Sequence, residues 1–168
     1  KTGTRAPLED VYYLGDGETP DYVVPRKANV LTLMAATGES FAELYLRISR
    51  ETEGRGFFSH RMFCKEIGEL AELMENGNVY PGLGDAGAHV SQVMDADWAT
   101  FVLSHWVRRE QLYSVAEGVR RLTSGPAKVL GLKDRGVLAE GLRADVNVID
   151  FARLTSLRPE IVNDFPGG

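Results

Sequence analysis

Hydrophobic residues recur at helical spacing in three separate stretches of the chain, and each stretch predicts a helix. The first stretch opens with Ser40 and Glu43, which have the spacing of a capping box, and its helix should end before Gly54. The second ends at residues 76–77, Asn-Gly, which are typical of a helix C-terminus. The apolar positions of the three stripes are Phe41, Leu44, Tyr45 and Ile48; Ile67, Leu70, Ala71 and Met74; and Trp98, Phe101, Val102, His105 and Trp106.

Two further helices are predicted from the residues that begin and end them. A second capping box, formed by Ser114 and Glu117, begins the first of these helices. Gly125 and Pro126 should break it. A short helix from about Ala127 to Leu130 should then follow.

Short apolar segments between the helical stripes predict strands at residues 57–63 and 79–83. Residues 37–110 therefore alternate between helix and strand, and this order favours parallel strands joined by crossover helices. Residues 1–30 have no clear period and should form a long ordered loop. A small β segment is predicted near the end, with a turn and short strand at residues 136–141 and a strand at residues 144–150.

Composition places the chain among ordinary globular proteins and excludes several classes of partner. Its 168 residues suit one domain, and 43% are hydrophobic while 26% are charged. The net charge is -5 and the basic residues are scattered, which argues against a nucleic-acid partner. No apolar run reaches membrane-spanning length, which argues against a membrane partner. Cys64 is the single cysteine and cannot form an internal disulfide, so we expect a reducing compartment, the cytoplasm.

The stretch GLGDAGAH, residues 82–89, has three interpretations. Its G-x-G-x-x-G spacing matches a phosphate-binding loop, but Asp85 would repel a phosphate and the next helix begins late, near Asp97. Alternatively, Asp85 lies at the C-terminal end of a buried strand, where α/β barrels place their active sites. A carboxylate in that position can act as general acid and base. The third interpretation is a turn in which Asp85 caps nearby backbone N–H groups.

Two parts of the chain resemble the amidohydrolase superfamily. Residues 122–132, LTSGPAKVLGL, and residues 136–150, GVLAEGLRADVNVID, resemble its closing segment. In that segment a T-x-x-P-A…L-G helix pair precedes G-x-I-x-x-G-x-x-A-D-x-V-V-x-D. The upstream stretch GDAGAH resembles the S-D-x-G strand end of one branch, the N-acyl-D-amino-acid deacylases. The resemblance covers roughly residues 35–150.

The resemblance implies that this α/β chain is the C-terminal part of a (β/α)8 barrel with a small appended β-sandwich. Residues 1–131 would hold the last strands and helices of the barrel, and residues 132–168 would form part of the sandwich. The implied reaction is hydrolysis of an amide bond by a metal-activated water, usually with zinc. Asp85 would serve as general acid/base and contact the metal. Gly84 and His89 would lie at the substrate pocket.

The chain departs from the superfamily in its metal ligands. It contains no H-x-H, with which the superfamily's metal site begins, and its three histidines are His60, His89 and His105. We expect His105 to pack within its helical stripe and His60 to be structural. We also expect a fragment: the missing N-terminal half of the barrel would supply most zinc ligands. The chain alone should then not turn over its small-molecule substrate, an N-acyl amino acid or related amide.

Two other functions stay open at this stage. One is a nucleotide-binding module that uses Gly82, Gly84 and Gly87, which saturable binding of NAD or ATP would reveal. The other is a non-catalytic interaction fragment. Exposed strand edges also favour association into a homo-oligomer. Gly84 stands where the deacylase branch has Ser or Thr, and this difference bears on how the substrate is bound.

Overall fold

The computed structural model describes residues 6–82, 84, 86 and 95–160. These residues form two short strands, β1 (Val11–Tyr13) and β2 (Phe58–His60). A π-helical segment, Val102–Arg109, continues directly from α4. The helices are α1 (Val30–Thr37), α2 (Phe41–Glu51), α3 (Ile67–Glu75), α4 (Trp98–Phe101), α5 (Val115–Leu122) and α6 (Ser124–Val129); single 3-10 turns cover Leu8–Asp10, Arg26–Ala28 and Asp95–Asp97.

The chain divides into two compact units, Lys1–Leu70 and Ala71–Gly168. This mixture of helices and strands agrees with the expected α/β class. The division into barrel residues 1–131 and sandwich residues 132–168 concerns the intact fold and stays a prediction.

The sheet of the first unit is antiparallel. Its register pairs Val11 with His60, Tyr12 with Ser59 and Tyr13 with Phe58. The prediction of a strand within residues 57–63 is confirmed, but the parallel arrangement expected for it is wrong. Its partner is β1, which lies in the part of the chain expected to be a loop. Because β1 is only three residues long, it has too few residues to show a strand period.

The core of the first unit joins β1 to helices α1 and α2. Its buried residues are Val11, Val30, Leu44 and Ile48. The capping box predicted for α2 is confirmed: the Ser40 hydroxyl accepts from the Glu43 amide, and the Glu43 carboxylate accepts from the Ser40 amide at 2.8 Å. This reciprocal cap fixes where α2 begins, and therefore places the apolar stripe of the helix on the core.

In the second unit, the aromatic stripe predicted near Trp98 is helical, and it is largely buried over the π-helix. Helix α5 packs closely on this segment at Gly118. A Cβ atom at Gly118 would overlap the Val107 Cγ2 methyl and lie 3.6 Å from Leu103 Cδ2. Glycine is therefore required at this position by the close approach of the two helices.

Two details of the second unit differ from the sequence expectations. Helix α5 is broken at Thr123, where ψ is -91°, and not at Gly125 and Pro126. Those two residues lie in the first turn of α6, where a proline costs no intrahelical hydrogen bond. Residues 79–82 form no regular element, so the strand predicted for 79–83 is not seen in its described part.

The tail after α6 forms turns but no strand over residues 132–160, all of which the structure describes. Gly141 lies in a turn with φ +80°, in keeping with the turn predicted for 136–141. The strands predicted within 136–141 and at 144–150 are absent from this tail. Val146 and Val148, which lie two positions apart in the second predicted strand, are both exposed, and Val148 is 99% exposed.

Within the parts of the chain that the structure describes, no helix combines the length and apolar character needed to cross a membrane.

We expect Leu44→Ala to destabilise the first unit by about 2–5 kcal/mol, since it leaves a cavity in a packed core. Leu44 is 1% exposed, whereas Leu46 on the same helix is 67% exposed. Leu46→Ala is therefore the matched control and should change the free energy of unfolding by less than about 0.5 kcal/mol. Urea unfolding of the complete protein measures both. Equal losses for the two variants would contradict the assigned core.

We expect Gly118→Ala to destabilise the second unit by about 1–3 kcal/mol, because the added methyl group overpacks the contact with Val107. This loss should exceed the gain of about 1 kcal/mol that alanine brings to a helix. Gly77→Ala is the control, since a Cβ at Gly77 meets no atom within 4 Å. Thermal unfolding of the two variants compares them, and a Gly118→Ala protein as stable as the parent would refute the close helix contact.

Candidate functional site

The candidate site lies where the segment after α3 leads into the glycine-rich stretch. Residues 76–82 run from the end of α3 to Gly82. Gly84 is half-buried, and no Cβ restricts access to its backbone. Asp85 and His89, the predicted acid/base and pocket residue, lie outside the described residues. The structure therefore describes the backbone that precedes the glycine-rich stretch in the chain.

A buried arginine of α5 holds this segment by its carbonyl groups. Arg121 is 3% exposed. Its Nη1 atom donates to the carbonyl oxygens of Met74 at 2.8 Å, Asn76 at 3.2 Å and Val79 at 2.8 Å. The Met74 carbonyl lies in the last turn of α3, where backbone acceptors lack helical partners, and Asn76 directly follows the helix. Arg121 therefore caps α3 and fixes the direction in which the chain leaves it.

The Glu117 carboxylate binds both arginines of α5. It accepts from Arg120 Nε at 2.6 Å and Nη2 at 2.8 Å, and from Arg121 Nε at 2.7 Å. The hydrogen bonds from Arg120, and then those from Arg121, lower the pKa of Glu117 to about 2. The predicted capping box at Ser114 is only half formed. The Ser114 hydroxyl accepts from the Glu117 amide at 3.1 Å, while the Glu117 side chain is engaged by the arginines.

Two tyrosines complete this network. The ring of Tyr113 lies 4.4 Å from the Arg121 guanidinium carbon, and its hydroxyl donates to the Met74 carbonyl. Burial raises the pKa of Tyr113. The Tyr80 hydroxyl accepts from Arg120 Nη1 at 3.2 Å. Gly125 leaves room for the Tyr80 ring, which a Cβ at that position would overlap.

We call these residues the arginine clamp: Tyr80, Tyr113, Glu117, Arg120 and Arg121. Their polar groups bind one another and the backbone, so the clamp can orient a segment but offers no free nucleophile. Sequence reasoning missed it, because it treated the basic residues only as scattered charges. A signal was present, because an acid followed at i+3 and i+4 by arginines on a helix predicts ion pairs on one face.

The structure describes two of the three histidines, His60 and His105. His105 is buried in the π-helix, with its ring stacked 4.6 Å from that of Phe101 and 4.5 Å from that of Trp106. His60 ends β2 and is exposed. His105 thus packs in an aromatic cluster, as its place in the helical stripe predicts.

The described residues do not build a metal site by themselves. No group of three or more His, Cys, Asp or Glu side chains within the described ranges is placed to hold a metal ion. Zinc bound by proteins normally has at least three such ligands.

A family comparison identifies the class of the chain. The model of the amidohydrolase family matches residues 39–164, which include the glycine-rich stretch, the arginine clamp and the tail. The chain belongs to the amidohydrolase family, a family of hydrolases. This confirms the resemblance found in the closing segment.

Two curated relatives match parts of the chain. One is an N-acyl-D-glutamate deacylase from Alcaligenes xylosoxydans xylosoxydans, 46% identical over 55 residues, which are 32% of this chain and 11% of the relative. The other is a 5-methylthioadenosine/S-adenosylhomocysteine deaminase from Pelotomaculum thermopropionicum, 32% identical over 99 residues, which are 56% of this chain and 23% of the relative. The matched regions thus span less than a quarter of either relative. No solved structure matches the chain significantly.

We expect the contribution of Glu117 to stability to be lost in acid. Its pKa is about 2 in the folded protein and 4.5 for the free side chain, so the ion pairs stabilise the fold fully above pH 4.5. The contribution falls as the pH drops from 4.5 towards 2. The difference in unfolding free energy between the parent and Glu117→Gln should therefore shrink over this range.

Chemical unfolding at a series of pH values measures this difference. Glu140→Gln is the control, since it removes an exposed carboxylate outside the clamp. A Glu117→Gln difference that is constant from neutral pH to pH 2 would contradict the assigned ion pairs.

Proposed function

We propose that this chain is the C-terminal part of an amidohydrolase that hydrolyses the amide bond of N-acyl amino acids. The observation that carries the proposal is the extent of the family match, because residues 39–164 contain both GLGDAGAH and the closing segment. The relative named as an N-acyl-D-glutamate deacylase supports the substrate class. Nucleotide binding by the glycines and a non-catalytic role are both less consistent with membership of a hydrolase family.

Asp85 is the proposed general acid/base. Its carboxylate accepts a proton from the water whose oxygen bonds to the amide carbon. It then donates that proton to the nitrogen as the carbon–nitrogen bond breaks, so the products are a carboxylic acid and an amine. A positioned carboxylate contributes about 10²–10⁴-fold to such a reaction.

Gly84 and His89 are the proposed substrate-binding residues. Gly84 is half-buried, and the absence of a side chain leaves its backbone open to a ligand. Zinc, which the superfamily resemblance implies, would contact Asp85 in this chain. The remaining ligands would come from the rest of the complete protein.

We further propose that the intact fold is a (β/α)8 barrel, with residues 132–168 in a small β-sandwich. The exposed apolar side chains of the tail support this placement, because a sandwich would cover them. They include Val137, Leu138, Val146, Val148 and Ile149. Burying such side chains stabilises a fold by about 1.5–3 kcal/mol each.

Deamination is the second candidate reaction. The relative named as a 5-methylthioadenosine/S-adenosylhomocysteine deaminase matches more of the chain, 56% against 32%, although at lower identity. Both reactions replace a carbon–nitrogen bond by a carbon–oxygen bond. They differ in the nitrogen product, which is an amino acid in one case and ammonia in the other.

We expect Asp85→Asn in the complete protein to lower kcat for N-acyl amino acids by about 10²–10⁴-fold, since Asn cannot transfer the proton. Steady-state assays with N-acyl-D- and N-acyl-L-amino acids, which detect the released amino acid, measure this loss. Ammonia release from 5-methylthioadenosine tests the second candidate in the same preparations.

The control for this experiment is Asp134→Asn, which changes an exposed acid paired with Arg135. This variant should keep the parent's kcat. An Asp85→Asn protein with normal turnover would rule out the acid/base role, and ammonia release without amino-acid release would replace the proposed substrate class.

A further inference from the structure

Arg121 has more partners than the stability of a helix requires. On α5, its pairing with Glu117 alone would be an ordinary i,i+4 interaction, worth about 0.3–0.5 kcal/mol on a helix surface. Instead its guanidinium is buried and makes three hydrogen bonds to carbonyls of the segment 74–79. Removing a guanidinium charge from water is costly unless its hydrogen-bonding partners are held in place around it.

The three carbonyl groups are not those of one regular element. Met74 lies in the last turn of α3, Asn76 follows the helix, and Val79 lies in the irregular segment beyond it. One atom, Arg121 Nη1, thus joins three points along a chain that changes direction between them. Such a contact fixes the path of the backbone. Residues 76–82, all described by the structure, have no sheet hydrogen bonds that could do so.

The next residues of this segment are also held by α5 and α6. Tyr80 contacts Arg120 through its hydroxyl, and its ring lies over Gly125. The held segment therefore ends two residues before Gly82, where GLGDAGAH begins. Asp85 follows Val79 by six positions in the sequence.

We propose that Arg121 is a positioning residue for hydrolysis, because it fixes the path of residues 74–79, the segment that leads along the chain to the glycine-rich stretch. This inference rests on the proposed function of Asp85. Among the described residues, Arg121 contacts the Glu117 carboxylate, the Tyr113 ring and backbone carbonyls. Lysine cannot replace it, because an ammonium group lacks the planar set of donors that binds Glu117 and the carbonyls together.

The inference predicts a specific kinetic result for Arg121→Lys in the complete protein. We expect kcat to fall about 10- to 100-fold with KM changed less than about 3-fold, since small displacements of a catalytic group reduce turnover. The matched control is Arg143→Lys, at an exposed arginine paired with Asp145, which should leave both constants unchanged.

Two further readouts separate positioning from a general loss of stability. Hydrogen exchange followed by mass spectrometry should show faster exchange in residues 76–82 of Arg121→Lys, with α1 and α2 unchanged. In Arg121→Ala, millimolar guanidinium should restore part of the lost kcat and have no effect on the parent. If these variants do not fold, Glu117→Gln, which removes the charge that binds Arg121 Nε, should show a smaller fall in kcat of the same kind.

Asp85→Asn, assayed in parallel, distinguishes the two levels of the proposal. If Asp85→Asn is inactive while Arg121→Lys keeps the parent's kcat and exchange pattern, the positioning role is refuted and the proposed function stands. A loss confined to KM, or a loss of kcat without faster exchange in residues 76–82, would also refute it. If Asp85→Asn is fully active, the proposed function falls and this inference falls with it.

Discussion

The second unit depends on the burial of one guanidinium group. Removing an arginine side chain from water costs several kcal/mol unless its N–H groups find acceptors. Arg121 meets this requirement with Glu117, three carbonyl oxygens and the face of Tyr113. The backbone is constrained in turn, because the carbonyl groups of Met74, Asn76 and Val79 must all point towards Arg121 for its charge to remain buried. The need to satisfy the buried charge of Arg121 therefore fixes the path of the irregular segment after α3.

The same solution occurs at two other arginines. In the first unit, Arg61 Nη2 donates to the carbonyls of Tyr22 at 3.0 Å and Val24 at 2.7 Å. In the second unit, Arg108 Nη1 donates to the carbonyls of Phe151 at 2.6 Å and Ala152 at 3.1 Å. Each arginine thus supplies hydrogen-bond donors to backbone that has no strand partner. Since long segments of the described chain lack regular structure, arginines supply the order that sheets supply elsewhere.

The sequence was a good guide to helices and a poor one to strands, for physical reasons. In helices α2 and α3 the apolar stripe and the residues that begin or end the helix lie within about ten residues, so local sequence patterns are enough to predict them. Strand β1 is short and pairs with a segment some 50 residues away, a relation that no local pattern contains. The clamp was missed for the same reason, because the acceptors of Arg121 are backbone carbonyls 42–47 residues distant. The closing segment could be recognised because its pattern lies in contiguous residues, whereas the role of Asp85 stays a prediction.

The exposed tail also carries its own protection against misassembly. Its apolar residues Val146, Val148 and Ile149 lie between acids, Asp145 before them and Asp150 after them. Charged residues at the ends of an exposed apolar strip act as gatekeepers, because pairing with another copy would remove them from water. The charged side chains at both ends of this short apolar strip therefore make its pairing with a second copy of the chain less favourable.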